Sequence, residues 1–211
     1  MLLTALAMLL TAAAPQDPAP VQPKDKGPAG KITKAPLIQA YSFLQKEFDA
    51  KNGGFDGAPK FPHALELGFL LNYAHLQSQP QAYRMAAQSL EKMARGGIYD
   101  QLGGGFFRCT TDAGWLKPRY EKTLYDNALL VPRYLALDQI TENPLAARVA
   151  RQTLDFSLRD LRAPHGGFYA SVGKTNQEQG AKYYLWNLAQ VRQVVGVKAA
   201  PVVAAALGVT E

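Results

Sequence analysis

The sequence holds one cysteine and three histidines, and no stretch of five consecutive like charges. A single thiol, Cys109, excludes an intramolecular disulfide and leaves too few thiolates for a cysteine-based zinc site. His63, His75 and His165 fall at no metal-ligand spacing, so no metal is expected. Gly173-Lys174-Thr175 lacks the glycine that a phosphate loop requires at position 168, where Phe168 stands, and no cofactor is expected either. The net charge of +6 comes from 23 basic and 17 acidic residues scattered along the chain, which argues against nucleic acid as a partner. No apolar run is long enough for a stable membrane span. The longest, in residues 1–14, ends in Ala12 and Ala14 and reads as a signal-peptide-like leader, which predicts a secreted or periplasmic protein. Residues 15–36 hold six prolines between lysines and read as a linker. The folded domain is expected over residues 37–211, and a content of 47% hydrophobic residues suffices for a core.

What is present after the linker is helical periodicity. Leu65, Phe69, Tyr73 and Leu76 form one stripe, and Ala82, Ala86, Leu90 and Met93 form a second. Leu124, Ala128, Val131 and Leu135 form a third, and a fourth runs from Ala146 through Val149, Ala150, Thr153 and Leu154 to Leu158 and Leu161. Prolines 36, 62, 80, 118 and 144 suit first helical turns, and Asn143 suits an N-cap. Pro132 falls inside the third stripe and predicts a kink or break.

Gly-Gly-Phe occurs at residues 53–55, 104–106 and 166–168, at spacings of 51 and 62 residues. A unit of that length holding two helices is the mark of a helical-hairpin repeat, with about three units here. Glycines permit the sharp turn and phenylalanine anchors it. After the third tripeptide, Phe168 and the run Tyr183-Tyr184-Leu185-Trp186 around a polar tip suggest a short β-hairpin.

The segment from Met93 to Asn127 concentrates glycine, aromatic and charged residues in one long connection, which is costly unless used. Asp100, Glu121 and Asp126 are the candidate proton-transfer carboxylates. Tyr99, Arg108, Trp115, Tyr120 and Asn127 are the candidate ligand contacts, with the rings able to stack on a sugar and Arg108 able to hold hydroxyls or an anion. Five helical steps would set Glu121 and Asp126 about 140° apart, so they share a pocket only if the helix starts after Glu121. Lys122, four residues before Asp126, offers it a surface ion pair as the plainer alternative. Loop anchoring is the plain alternative for the rings, for Asp100 and for Arg108.

Asp49 with Gly53-Gly54-Phe55, Ala58-Pro59-Lys60-Phe61-Pro62, the run Met93 to Phe106, Tyr120-Glu121-Lys122, Leu124 to Ala128 and Gly166-Gly167-Phe168-Tyr169 together resemble the spermatogenesis-associated protein 20 family. The resemblance covers roughly residues 41 to 188 and implies an all-α fold. It implies part of an (α/α)₆ toroid, like that of N-acylglucosamine 2-epimerases and six-hairpin glycosidases, with a leader and linker in place of the family's thioredoxin-like domain. Nothing here resembles C-x-x-C, so no redox role carries over. Phe107 and Arg119 stand where the family pattern has histidine, and residues 170–176 replace an acidic stretch.

These readings lead to a partial toroid that binds a sugar-like ligand with weakened or lost catalysis. An active epimerase or hydrolase and a non-catalytic scaffold are the alternatives. Unpaired hairpin faces also predict a homodimer or a partner subunit that completes the toroid.

Overall fold

A computed structural model of the chain describes residues 33–173 and 177–209. The leader and nearly all of the linker expected from the sequence lie outside the described residues. Five helices build the main body: α1 (Ala35–Glu47), α2 (Ala64–Leu76), α3 (Pro80–Arg95), α4 (Leu124–Thr141) and α5 (Pro144–Phe156), the last running into a π-helical turn over Ser157–Leu161. Strand β1 (Glu121–Thr123) precedes α4, and β2 (Ser171–Gly173) follows the third Gly-Gly-Phe. Helices α6 (Gln177–Tyr184) and α7 (Leu188–Leu207) end the described chain, α7 kinking at Gly196. No described helix is long and apolar enough to cross a membrane.

Pro80 and Pro144 open α3 and α5 at the first turn, where a missing N–H costs nothing. Asn143 caps α5 by accepting from the Leu145 and Ala146 amides. Pro62 and Pro118 lie instead in the connections before α2 and β1. The α3 stripe is buried as expected: Ala82, Ala86, Leu90 and Met93 are at most 0% exposed. On α2 and α4 the buried faces differ from the expected ones. Leu67, Leu70, Leu71 and Tyr73 are buried on α2 while Leu65 and Leu76 are exposed; on α4, Asn127, Leu130, Val131, Tyr134 and Leu137 are buried while Ala128 and Leu135 are exposed. Both helices carry apolar residues nearly all round, so periodicity does not single out one face. α4 runs unbroken through Pro132. Ala128, whose carbonyl loses its donor, and Pro132 are both on the exposed side, where water can take the bond.

The hairpins stack in two layers. α2 lies against α4 and α3 against α5, while α2–α3 and α4–α5 are the antiparallel pairs that join the layers. The small antiparallel β element forms between β1 and β2, with Lys122 opposite Val172, rather than within residues 168–186. Tyr183 and Tyr184 lie on α6, where Tyr184 stacks on Tyr120 at 5.3 Å between ring centroids.

The first two Gly-Gly-Phe turns are superimposable in their bonding. In the first, Gly53 N–H donates to Asp49 O (2.7 Å) and Asp49 N–H to Gly54 O (3.0 Å); in the second, Gly104 donates to Asp100 O (2.9 Å) and Asp100 to Gly105 O (3.0 Å). All four glycines hold φ between 71° and 78°, a left-handed conformation that other residues adopt at a cost. Phe55 and Phe106 are buried behind them.

Candidate functional site

Each of these two turns is closed by a buried lysine. Lys60 Nζ donates to Asp49 Oδ2 at 2.6 Å, to Ala113 O at 3.2 Å, and lies over the Trp115 ring. Lys122 Nζ donates to Asp100 Oδ2 at 2.7 Å and to Gly104 O at 2.8 Å, among the rings of Phe107, Phe156 and Tyr184. The other oxygen of each aspartate accepts backbone amides, from Lys51 and Asn52 onto Asp49 and from Leu102 and Gly103 onto Asp100. Burial lowers the Lys122 pKa, against the pull of Asp100. Asp49 is driven up by burial, but the Lys60 and Asn52 hydrogen bonds outweigh this and hold it well below the usual carboxylate range.

Of the eight candidate residues read from the sequence, five are bound into this framework. Asp100 is the partner of Lys122. Tyr99 is 1% exposed, its hydroxyl donates to Gln152 Oε1 at 2.7 Å, and burial pushes its pKa up to about 12. Trp115 is fully buried and donates from Nε1 to Asn52 O at 2.9 Å. Tyr120 packs in a three-ring cluster with Phe107 and Tyr184. Asn127 is fully buried: its Oδ1 accepts from Phe106 N–H at 2.7 Å, and its Nδ2 donates to Phe106 O and Thr123 O. It thereby ties the second Gly-Gly-Phe turn to the start of α4.

The remaining three come together. α4 begins at Leu124, after Glu121, so the condition for Glu121 and Asp126 to share a face is met. Arg108 N–H donates to Glu121 O at 2.8 Å, and its Nη1 lies 3.6 Å from Glu121 Oε2. Burial raises the Asp126 carboxyl above the usual range, opposed by the hydrogen bond from Thr123 Oγ1 (2.6 Å) and by the Arg108 charge. Thr123 is also the N-cap of α4, accepting from Asp126 N–H. The Lys122–Asp126 ion pair allowed by their spacing does not form, because Lys122 is drawn inward to Asp100. Tyr125 stands exposed beside Arg108 and Asp126. The result is a half-exposed array of guanidinium, two carboxyls and a phenol at the N-terminal end of α4.

A second polar cluster sits at the matching end of α2. His63, at the N-cap position with φ 50°, places Nε2 3.0 Å from Asp56 Oδ2 and Nδ1 3.3 Å from Glu66 Oε1. Its pKa is raised, chiefly by the Glu66 hydrogen bond and against burial. Glu66 and Asp126 are both the third residue of their helices, and each meets the side chain that precedes its helix. The cluster borders a groove of about 410 Å³ lined by Phe43, Leu44, Leu65 and Phe69. The sequence offered a signal for it in the proximity of Asp56, His63 and Glu66, but a reading by metal-ligand spacing passes over a histidine between two carboxylates. Among the described residues no group of three or more His, Cys, Asp or Glu side chains has the geometry to hold a metal.

No protein-family model matches the chain. Over 167 residues, 74% of this chain, it is 38% identical to spermatogenesis-associated protein 20 of Mus musculus and 36% identical to that of Homo sapiens. The chain spans about a fifth of the length of these relatives, 21% of each. Among solved structures, cellobiose 2-epimerase from Spirochaeta thermophila superimposes with a TM-score of 0.58 at 24% identity, over 66% of this chain and 39% of that one. The enzyme of the same name from Bacillus thermoamylovorans gives 0.56 at 13% identity, over 67% and 42%. These likenesses establish the fold as that of part of an (α/α)₆ toroid.

Proposed function

Across the 167 residues that align, the chain belongs to the spermatogenesis-associated protein 20 family, and on that premise we propose that it binds a small hydroxyl-rich, sugar-like molecule at Arg108, Glu121, Tyr125 and Asp126. The observation that carries this reading is the convergence of these four side chains, half-exposed, at the start of α4. A guanidinium, two carboxyls and a phenol supply donors and acceptors in the mixture that hydroxyl groups match. The cellobiose 2-epimerases that share the fold supply the ligand class by analogy.

Catalysis is weak or absent in this reading. Epimerisation and glycoside hydrolysis both need two groups that exchange protons, and burial raises the pKa of Asp126 toward that task. Asp100 is held as a counter-ion, and Phe107 and Arg119 offer no imidazole. The raised Asp126 is also what favours the second reading, an active enzyme using it as general acid.

Two measurements on the purified chain decide. Thermal shift against a panel of mono- and disaccharides is expected to show stabilisation by at least one sugar, lost in Arg108→Ala and Glu121→Gln. Proton NMR of the same mixtures is expected to show no change of the sugar. No stabilisation by any sugar rejects the binding reading, and turnover abolished by Asp126→Asn replaces it with the enzymatic one.

A further inference from the structure

The connection from α3 to β1 doubles back on itself just before α4. Arg108 N–H donates to Glu121 O at 2.8 Å, Arg119 N–H to Cys109 O at 2.9 Å and Glu121 N–H to Arg119 O at 2.8 Å, so residues 107–109 and 119–121 run side by side. Their side chains sort by side. Phe107, Cys109 and Tyr120 are buried, whereas Arg108 and Arg119 are exposed and Glu121 is half-buried. Arg119 thus opens onto the surface that carries Arg108 and Glu121, on a backbone bonded both at its N–H and at its carbonyl.

Charge on this surface is not balanced in pairs. Arg108 has Glu121, loosely, at 3.6 Å, while the Arg119 guanidinium makes no hydrogen bond or ion pair with any described residue. The two cations nevertheless share a neighbour. Burial pushes the Cys109 thiol up, and Arg119 and then Arg108 pull it back, which puts both guanidiniums within electrostatic reach of one sulfur. The acids of the connection are engaged elsewhere: Asp100 holds Lys122, and Asp112 accepts the Gly114, Leu116 and Lys117 amides. Lys117, exposed two residues before Arg119, adds to the positive side. Burial also raises the Asp126 carboxyl, and a carboxyl that favours its neutral form repels an anion less.

Resting on the sugar-binding reading of the same site, we propose that its ligand is an acidic sugar, whose carboxylate or phosphate is held by Arg119 together with Arg108 while its hydroxyls meet Glu121, Tyr125 and Asp126. A guanidinium presents a planar fork of N–H donors that fits two oxygens of one anionic group. Arg119 has that fork free, and Arg108 can turn part of its own to the ligand because its ion pair is long. The residue at 119 then sets the ligand class. An imidazole there, as in the resembling family, would be a weaker and pH-dependent anion holder, whereas a guanidinium keeps its charge at any working pH.

Titration calorimetry of the full chain tests this with matched sets: glucose, galactose and mannose beside their uronic acids and 6-phosphates, and inorganic phosphate alone. In at least one set an acidic sugar is expected to bind at least about tenfold more tightly than its neutral parent at low salt, with the ratio shrinking as salt is added. Which acid it is tells carboxylate from phosphate. Arg119→Gln is expected to bring the ratio to about one, and Arg119→Lys to keep part of it. Both variants should match the native chain in urea midpoint, since Arg119 is exposed and has no partner to lose. A neutral sugar bound as tightly as its acids, or a preference that survives Arg119→Gln, overturns the proposal and leaves the sugar-binding reading standing. Inorganic phosphate bound as tightly as the best sugar phosphate overturns it as well, because the hydroxyls would then contribute nothing. If no sugar of any kind binds, the proposal and the reading beneath it fall together.

Discussion

Lys122 reaches across 22 residues of sequence to place its ammonium 2.7 Å from Asp100, inside a cage of Phe107, Phe156 and Tyr184. The pair is the hub of the second turn: Asp100 gathers the turn's amides, and Lys122 carries the start of β1 and α4 to it. Removing the carboxylate strands a buried cation, whereas removing the cation leaves a mostly apolar cage and an aspartate that is still bonded to amides. Asp100→Asn is therefore expected to cost about 3 to 5 kcal/mol in urea unfolding and Lys122→Met distinctly less. The double variant should fall short of the sum. Equal costs for the two single variants would contradict this account of the hub.

Asp49 gives the first turn a pH signature. Its folded pKa lies below its unfolded value of about 3.9, so its contribution is full above that value and is lost as pH falls toward the folded pKa. The stability gap between the native chain and Asp49→Asn is expected to be constant from neutral pH down to about pH 5 and to narrow in more acid solution. Denaturant midpoints of the two proteins, measured side by side across that range, check it. A gap that stays constant into strong acid would mean that Asp49 acts through shape and not through charge.

Helices α3 and α5 were legible in the sequence because one face is polar and the other is not. α2 and α4 were legible as helices but not in their orientation, since apolar residues surround them. The recurring Gly-Gly-Phe announced the repeat, and the motifs around it pointed to the family that the aligned relatives bear out. Which motif residues touch solvent was not legible. Asp100 and Asp126 look alike in sequence, and only the course of β1 decides that Lys122 turns to the first and leaves the second beside Arg108. Tyr99, Trp115 and Asn127 look like binding residues for the same reason: a tight glycine connection needs large and polar anchors, and their chemistry is that of a ligand site. The burial of Lys60 and Lys122 could be suspected only from the Asp that precedes each of the first two glycine pairs.

Two glycines with the same backbone conformation should answer differently to the same change. Gly105 and Gly167 have φ of 78° and 74°, but a methyl on Gly105 falls on the Phe156 ring while one on Gly167 meets nothing among the described residues. Gly167→Ala is expected to cost only the left-handed backbone term, about 1 to 2 kcal/mol. Gly105→Ala should add the displacement of a core ring, another 1 to 3 kcal/mol or so. Thermal unfolding of the two variants at low protein concentration, where self-association is minimal, compares them directly. Equal losses would show that Phe156 can move aside freely.

Asn127 and Arg108 separate the framework from the candidate site. Asn127→Ala removes an acceptor for the buried Phe106 amide and donors for the carbonyls of Phe106 and Thr123, so stability is expected to drop by about 2 to 3 kcal/mol or more, with any loss of ligand following from loss of fold. Arg108 is half-exposed and its ion pair with Glu121 is loose at 3.6 Å, so Arg108→Ala should change stability by no more than about 1 kcal/mol. Its effect is expected in sugar binding alone. Measured together, urea midpoints and thermal shift with ligand should move in opposite patterns for the two variants. If Arg108→Ala lowers stability as far as Asn127→Ala does, the Arg108 cluster is a part of the framework too, and the ligand must be sought elsewhere on the molecule.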